Sequence, residues 1–224
     1  MRSHAYLLAN LPLLAAVSLL LFRMRRSEYC RLALGSGVAC LPCGLLAAMH
    51  NGEYWSPVRL GGFPIGIEDF IFTFTAGAAA WLAAAGPHRR RIVAGSGLDR
   101  RVLLWGAVSA ACGWALWRVG FDCMTSTLAA AGGLLLLLVA RRIRLWPLAL
   151  TGVAVFVPFY VAVVRIQFAF WPDYVLAWNQ AGPWAARIWG IPAGEIAWAV
   201  SFAALWPMVV ASALNVEVKP PQAP

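Results

Sequence analysis

Charge is what this chain has least of. Only 12% of its 224 residues are Asp, Glu, Lys or Arg, against about 25% in soluble domains, and only nine are acidic. With 62% apolar residues and a mean hydropathy of +0.72, this scarcity excludes a soluble globular class and reads as a polytopic membrane protein. Histidine is also rare: His4, His50 and His88 share no metal-ligand spacing. Cys40 and Cys43 have CxxC spacing but lie inside one apolar run with no second pair, so they read as small buried apolar groups. No metal and no cofactor is expected. The last apolar run has no lysine, which disfavours a retinal Schiff base.

What is abundant is length of apolar sequence. Seven segments are long enough to cross about 30 Å of hydrocarbon: 5–22, 32–49, 63–85, 102–120, 124–140, 145–168 and 191–214. The first runs into Arg23, Arg25 and Arg26 without a small-residue cleavage site, so it is read as a retained span. With seven spans, one side holds Arg23, Arg25, Arg26, Arg31, Arg89, Arg90, Arg91, Arg100, Arg101, Arg141, Arg142, Arg144 and Lys219, which is 13 of the 18 basic residues. Positive-inside then predicts an integral cytoplasmic or inner-membrane protein with its N-terminus out and C-terminus in. The same Arg-rich loops account for the net charge of +9 and remove the case for a nucleic-acid partner; the expected partner is the lipid bilayer.

A skeleton then recurs 128 positions along. The first copy is Asn51, Arg59, Gly62, Pro64 and Glu68; the second is Asn179, Arg187, Gly190, Pro192 and Glu195. Spacing is identical from Asn to Pro, after which the acid falls four residues on in the first copy and three in the second. Spans 1–3 and 5–7 each place a basic turn and a polar loop in the same order, and span 4 connects them. The expected fold is therefore all-α, with seven transmembrane helices arranged as two parallel three-helix repeats joined by a linker helix. Its segments are 1–87, a basic loop and connecting helix over 88–122, 123–215, and a disordered tail over 216–224.

Pro64 and Pro192 suit the first position of a helix, which puts each glutamate about a turn inside the membrane, where ionisable groups are costly and usually functional. Helix-end charge favours the anion by about 0.3–1 kcal/mol, whereas full burial can raise a carboxyl pKa by about 3–5 units. A neutral acid in a dry site protonates an alkene, and an ionised partner accepts a proton. The competing reading makes Glu68 and Glu195 capping carboxylates, or ion-pair partners of Arg59 and Arg187. Asp69 adds a second acid to the first copy only. Arg59 and Arg187 either orient the acids or anchor at headgroups; Asn51 and Asn179 either bind across the units or shape turns. Trp55, Trp171, Trp178, Trp184 and Trp189 read as an interfacial belt. Phe70, Phe72, Phe74, Trp198 and Phe202 follow the acids into the membrane, where aromatic faces stabilise cations or pack.

At these residues the chain resembles the lycopene cyclase domain family of membrane-embedded carotenoid cyclases. Gly62-Phe-Pro64-Ile-Gly-Ile-Glu68-Asp69-Phe70-Ile-Phe72 and Gly190-Ile-Pro192-Ala-Gly-Glu195-Ile-Ala-Trp198 carry the resemblance. It departs from the family's paired acids at the Gly-Ile before Glu68 and at Gly194. The resemblance implies cyclisation of a linear carotenoid or isoprenoid end group through a carbocation, without net redox change. Glu68 and Glu195 would be acid and base in unassigned order, with Asp69 assisting; Phe72, Trp198, Arg59, Arg187, Asn51 and Asn179 would line the substrate. Enzymes of the carotenoid pathway are the implied protein partners. Two other classes compete: a small parallel-repeat transporter, which requires a polar path to both faces, and a non-catalytic membrane subunit.

Overall fold

Side-chain caps and prolines set the helix boundaries. The computed structural model describes residues 5–23 and 27–219; Arg2, His4, Arg25, Arg26 and the last five residues of the expected tail lie outside them. Helix α1 is Ala5–Arg23. Helix α2, Glu28–His50, starts where the Ser27 hydroxyl accepts the Cys30 amide at 3.2 Å. Pro42 lacks an amide hydrogen, and the helix tightens to 3-10 geometry over Leu41–Leu46 before recovering at Ala47–His50. There follow α3 (Ile67–Ala85), α4 (Arg100–Arg118, capped by Asp99), α5 (Cys123–Arg141, capped by Asp122), α6 (Trp146–Phe170) and α7 (Ala193–Ala213). Four two-residue strands form two small antiparallel ladders, β1 (Ile92–Val93) with β4 (Glu217–Val218) and β2 (Arg187–Ile188) with β3 (Ile191–Pro192).

The helical membrane class stands: α1, α2, α3, α5, α6 and α7 are each long and apolar enough to cross a bilayer. The expected fourth span, α4, has the length but is not among these six. Arg100, Arg101 and Arg118 at its ends and Trp105, Trp114 and Trp117 along it lower its hydropathy. The expected disordered tail is corrected over 216–219. Glu217 and Val218 pair with Val93 and Ile92, and the Lys219 amide donates to Arg91 O at 2.9 Å, because paired backbone groups offset the entropy of ordering.

The described chain forms two compact units, Met1–Ala79 with Pro158–Trp198, and Ala80–Val157 with Ala199–Pro224. Neither coincides with the expected segments, because α3, α6 and α7 each run through both units. Lipid gives apolar helices no hydrophobic reason to associate, so close packing and interhelical hydrogen bonds must hold them. In the first unit Ser36 Oγ donates to Gly77 O at 2.7 Å, and a Cβ at Gly77 would lie 2.5 Å from Cys40 Cβ; Cys40 is a packing group. In the second unit α4 and α5 form an antiparallel hairpin, with Ser109 Oγ donating to Ala130 O at 2.8 Å. At its base Arg142 bonds Asn215 Oδ1 at 2.6 Å and faces Asp99 at 3.6 Å.

Candidate active site

The two motif copies differ first at a backbone amide. Helix α3 begins at Ile67, three residues after Pro64, so Gly66 is its N-cap and Asp69 its third residue. Helix α7 begins at Ala193, so Pro192 is its N-cap and Glu195 its third residue. Neither proline is the first helical residue, which corrects the expected placement: Ile65 and Gly66 are extra loop residues. Asp69, not Glu68, therefore stands where Glu195 stands, and Glu68 stands where Gly194 does. Phe72 and Trp198, each three residues further on, meet at 5.5 Å between ring centroids.

Asp69 is fully occupied. Its Oδ2 accepts from Gly66 N at 2.7 Å and Arg59 Nε at 2.7 Å; its Oδ1 accepts from Arg59 Nη2 at 3.2 Å and Tyr6 Oη at 3.1 Å. The contact to Gly66 is the return bond of a capping box, from the third helical residue to the N-cap amide. Arg59 completes itself through Asn51 Oδ1 at 2.8 Å, with its guanidinium 5.2 Å from the Trp55 ring and 6.0 Å from the Tyr6 ring. Both side chains are almost wholly buried, at 1% and 2% exposure. A two-pronged, charge-assisted pair of this kind is among the strongest hydrogen-bonded arrangements available to a carboxylate, and it leaves no lone pair facing a ligand.

Glu68 is equally buried but turned back under its own loop. Its Oε1 accepts the Leu60 amide at 2.7 Å, and its Oε2, which fills the space over Gly66, has no hydrogen-bond partner among the described residues. This placement clamps the turn that follows Arg59.

Glu195 is held differently, and the cause is legible in one residue. Pro192 has no amide hydrogen for the third helical residue to bind. The carboxylate turns instead to Tyr160, whose hydroxyl donates to Oε2 at 2.6 Å, and to Trp178, whose indole N–H donates to Oε1 at 2.7 Å. Glu195 is half-buried, and the Trp198 ring lies 5.4 Å from that of Tyr160. Arg187 is exposed on the β2–β3 hairpin and donates to Gln180 Oε1; it makes no ion pair among the described residues. Asn179 pins the first loop to the second: its amide donates to Tyr54 O and its Nδ2 to Glu53 O, both at 2.8 Å.

One aromatic cluster separates the two acids. Tyr6 lies 4.7 Å from Trp55 and 6.4 Å from Tyr174; Tyr174 lies 5.1 Å from Trp178, which lies 6.1 Å from Trp55. Tyr174 sits in the loop between α6 and β2. Burial and then the Glu195 carboxylate push its phenol well above the ordinary range; Arg59 opposes the shift and Asp69 adds to it.

Sequence reasoning missed Tyr6, Tyr160, Tyr174 and Trp178. Tyrosine was the available signal: the chain has only five, and Tyr6, Tyr54, Tyr160 and Tyr174 gather here. Trp178, expected in an interfacial belt, is buried at 4% exposure because its N–H has a carboxylate to meet.

The family comparison falls on the second copy. Residues 122–212 match the family model described as Lycopene cyclase, a stretch that holds α5, α6, all but the last residue of α7, Tyr160, Trp178 and Glu195. No curated protein and no solved structure matches the chain. Through that stretch the chain is similar to the lycopene cyclase domain family, which together with its long apolar helices supports a carotenoid-cyclase-like membrane protein.

Proposed function

We propose that this chain cyclises the end group of a linear carotenoid or related isoprenoid within the bilayer, with Glu195 exchanging the proton. The observation that carries the reading is Glu195 itself. It is a half-buried carboxyl group in the family-matched stretch, bonded by the neutral donors Tyr160 and Trp178 rather than by an arginine. Its proton would pass to a carbon of the terminal alkene, leaving a carboxylate that the Tyr160 hydroxyl and the Trp178 N–H stabilise. The adjacent alkene closes a six-membered ring on the cation. A ring C–H bond then breaks, its electrons form the ring double bond, and its proton returns to Glu195. Atoms and electrons balance, so the step is an isomerisation that needs no redox partner. Trp198, Tyr160 and Phe72 offer ring faces to the transient cation. The Asp69–Arg59 pair is neutral as a unit and serves as a scaffold for the first loop.

In this reading α4 is a seventh span, because it runs antiparallel beside α5 from Asp99 and Arg142 at one end through Ser109 and Ala130. A membrane-crossing α5 carries its hairpin partner across with it, and three plus one plus three helices makes the two motif units parallel. The Arg-rich ends then face the cytoplasm. In a cysteine-free background, an impermeant thiol reagent added outside should label Phe121→Cys and spare Leu98→Cys; the reverse pattern refutes this topology.

The functional test is expression in cells that accumulate lycopene, with extraction and chromatography of cyclic products. Ring formation by the native chain supports the reading. Correctly inserted protein that leaves linear end groups of every tested carotenoid unchanged overturns it.

A further inference from the structure

The first motif copy has a carboxyl side chain at the second residue of its helix, Glu68, and the second copy has Gly194 there. The space above Gly194 is not empty. A Cβ built on Gly194 would fall on the Tyr54 hydroxyl and within 2.8 Å of Tyr54 Cε2 and Cζ. Tyr54 belongs to the first copy's loop and is 6% exposed, and its phenol lies over the residue that precedes Glu195. Three hydrogen bonds deliver it: Asn179 N to Tyr54 O at 2.8 Å and Ser56 N to Ala177 O at 2.7 Å, which together make the Trp55–Trp178 bridge, and the side-chain Asn179 Nδ2 to Glu53 O at 2.8 Å.

We propose that Tyr54 is a positioning residue for Glu195, its phenol filling the place a side chain at 194 would take and fixing the carboxyl group as the third donor beside Tyr160 and Trp178. The acid of the second copy is thus completed by the first copy, and glycine at 194 is the condition for it. Asn179 acts one step further out, holding the Tyr54 backbone in register. The proposal rests on the cyclase reading for its kinetic consequence but not for its geometry.

The experiment uses the full chain in lipid nanodiscs. The infrared band of the Glu195 carboxyl group is assigned by its loss in Glu195→Gln. Tyr54→Phe keeps the ring over Gly194 and removes only the hydroxyl, so a purely packing role predicts no change. The expected result is a displaced Glu195 band, an unchanged thermal unfolding midpoint, and kcat lower by about tenfold at unchanged KM. Adding Tyr54→Phe to Glu195→Gln should cost nothing more. Gly194→Ala, which forces the phenol away, should displace the same band. An unmoved band in both Tyr54→Phe and Gly194→Ala overturns the proposal. If the native chain cyclises nothing, the band alone decides the role of Tyr54, and the cyclase reading fails separately.

Discussion

The two motif copies share four residues at identical spacing, yet one builds a closed ion pair and the other an acid held by neutral donors. In the first, Gly66 offers an N-cap amide and Arg59 a guanidinium, and Asp69 takes both. In the second, Pro192 offers no amide and Arg187 points to Gln180, so Glu195 is left to Tyr160 and Trp178. A sequence motif can thus be repeated while its chemistry is divided. Four satisfied acceptor positions make Asp69 a fixture. Glu195 is held by two neutral donors and no cation, which is the arrangement the proposed proton exchange uses.

The sharpest way to break this comparison is to exchange the acids' roles. Glu195→Gln should lower cyclisation by about 10²–10⁴-fold, whereas Glu68→Gln, which keeps the Oε1 acceptor for Leu60, should leave product yield near the native level. The opposite ranking in product chromatography would return the acid role to Glu68. Next in size, Arg59→Ala strands a buried Asp69 and should cost about 3–5 kcal/mol of stability, read as loss of folded protein in detergent-stability assays. Intact stability would mean Asp69 finds another partner. Tyr160→Phe removes one of the Glu195 donors and should slow turnover about tenfold, with expression unchanged. Pro192→Ala restores an amide at the N-cap that competes for Glu195; turnover should fall by less than in Tyr160→Phe, and a displaced Glu195 infrared band should accompany it. Smallest of all, Arg187→Ala should stay within about 0.5 kcal/mol of native stability. A loss as large as that from Arg59→Ala would mean the two arginines are equivalent after all.

Much of this was legible residue by residue. Apolar run length located seven segments, six of which are helices long and apolar enough to cross a membrane; the capping roles of Ser27, Asp99 and Asp122 came from the structure. The motif pointed to the right two helix starts. It misassigned helical position, because a loop can absorb Ile65 and Gly66 without any change in local pattern. The tyrosines stayed invisible as site residues, since Tyr6, Tyr54, Tyr160 and Tyr174 lie on four separate stretches, and in a chain so apolar each alone reads as packing.

What the sequence determined by itself is the membrane class, the apolar helices, and the presence of two acid-bearing helix mouths, because these follow from local composition and spacing. Which acid sits in an ion pair and which is held by neutral donors was decided only in three dimensions. Hydrogen-bond partners 35 residues away, as between Tyr160 and Glu195, or 63 away, as between Tyr6 and Asp69, are chosen by packing, and a carboxylate's chemistry depends on the partners it ends with.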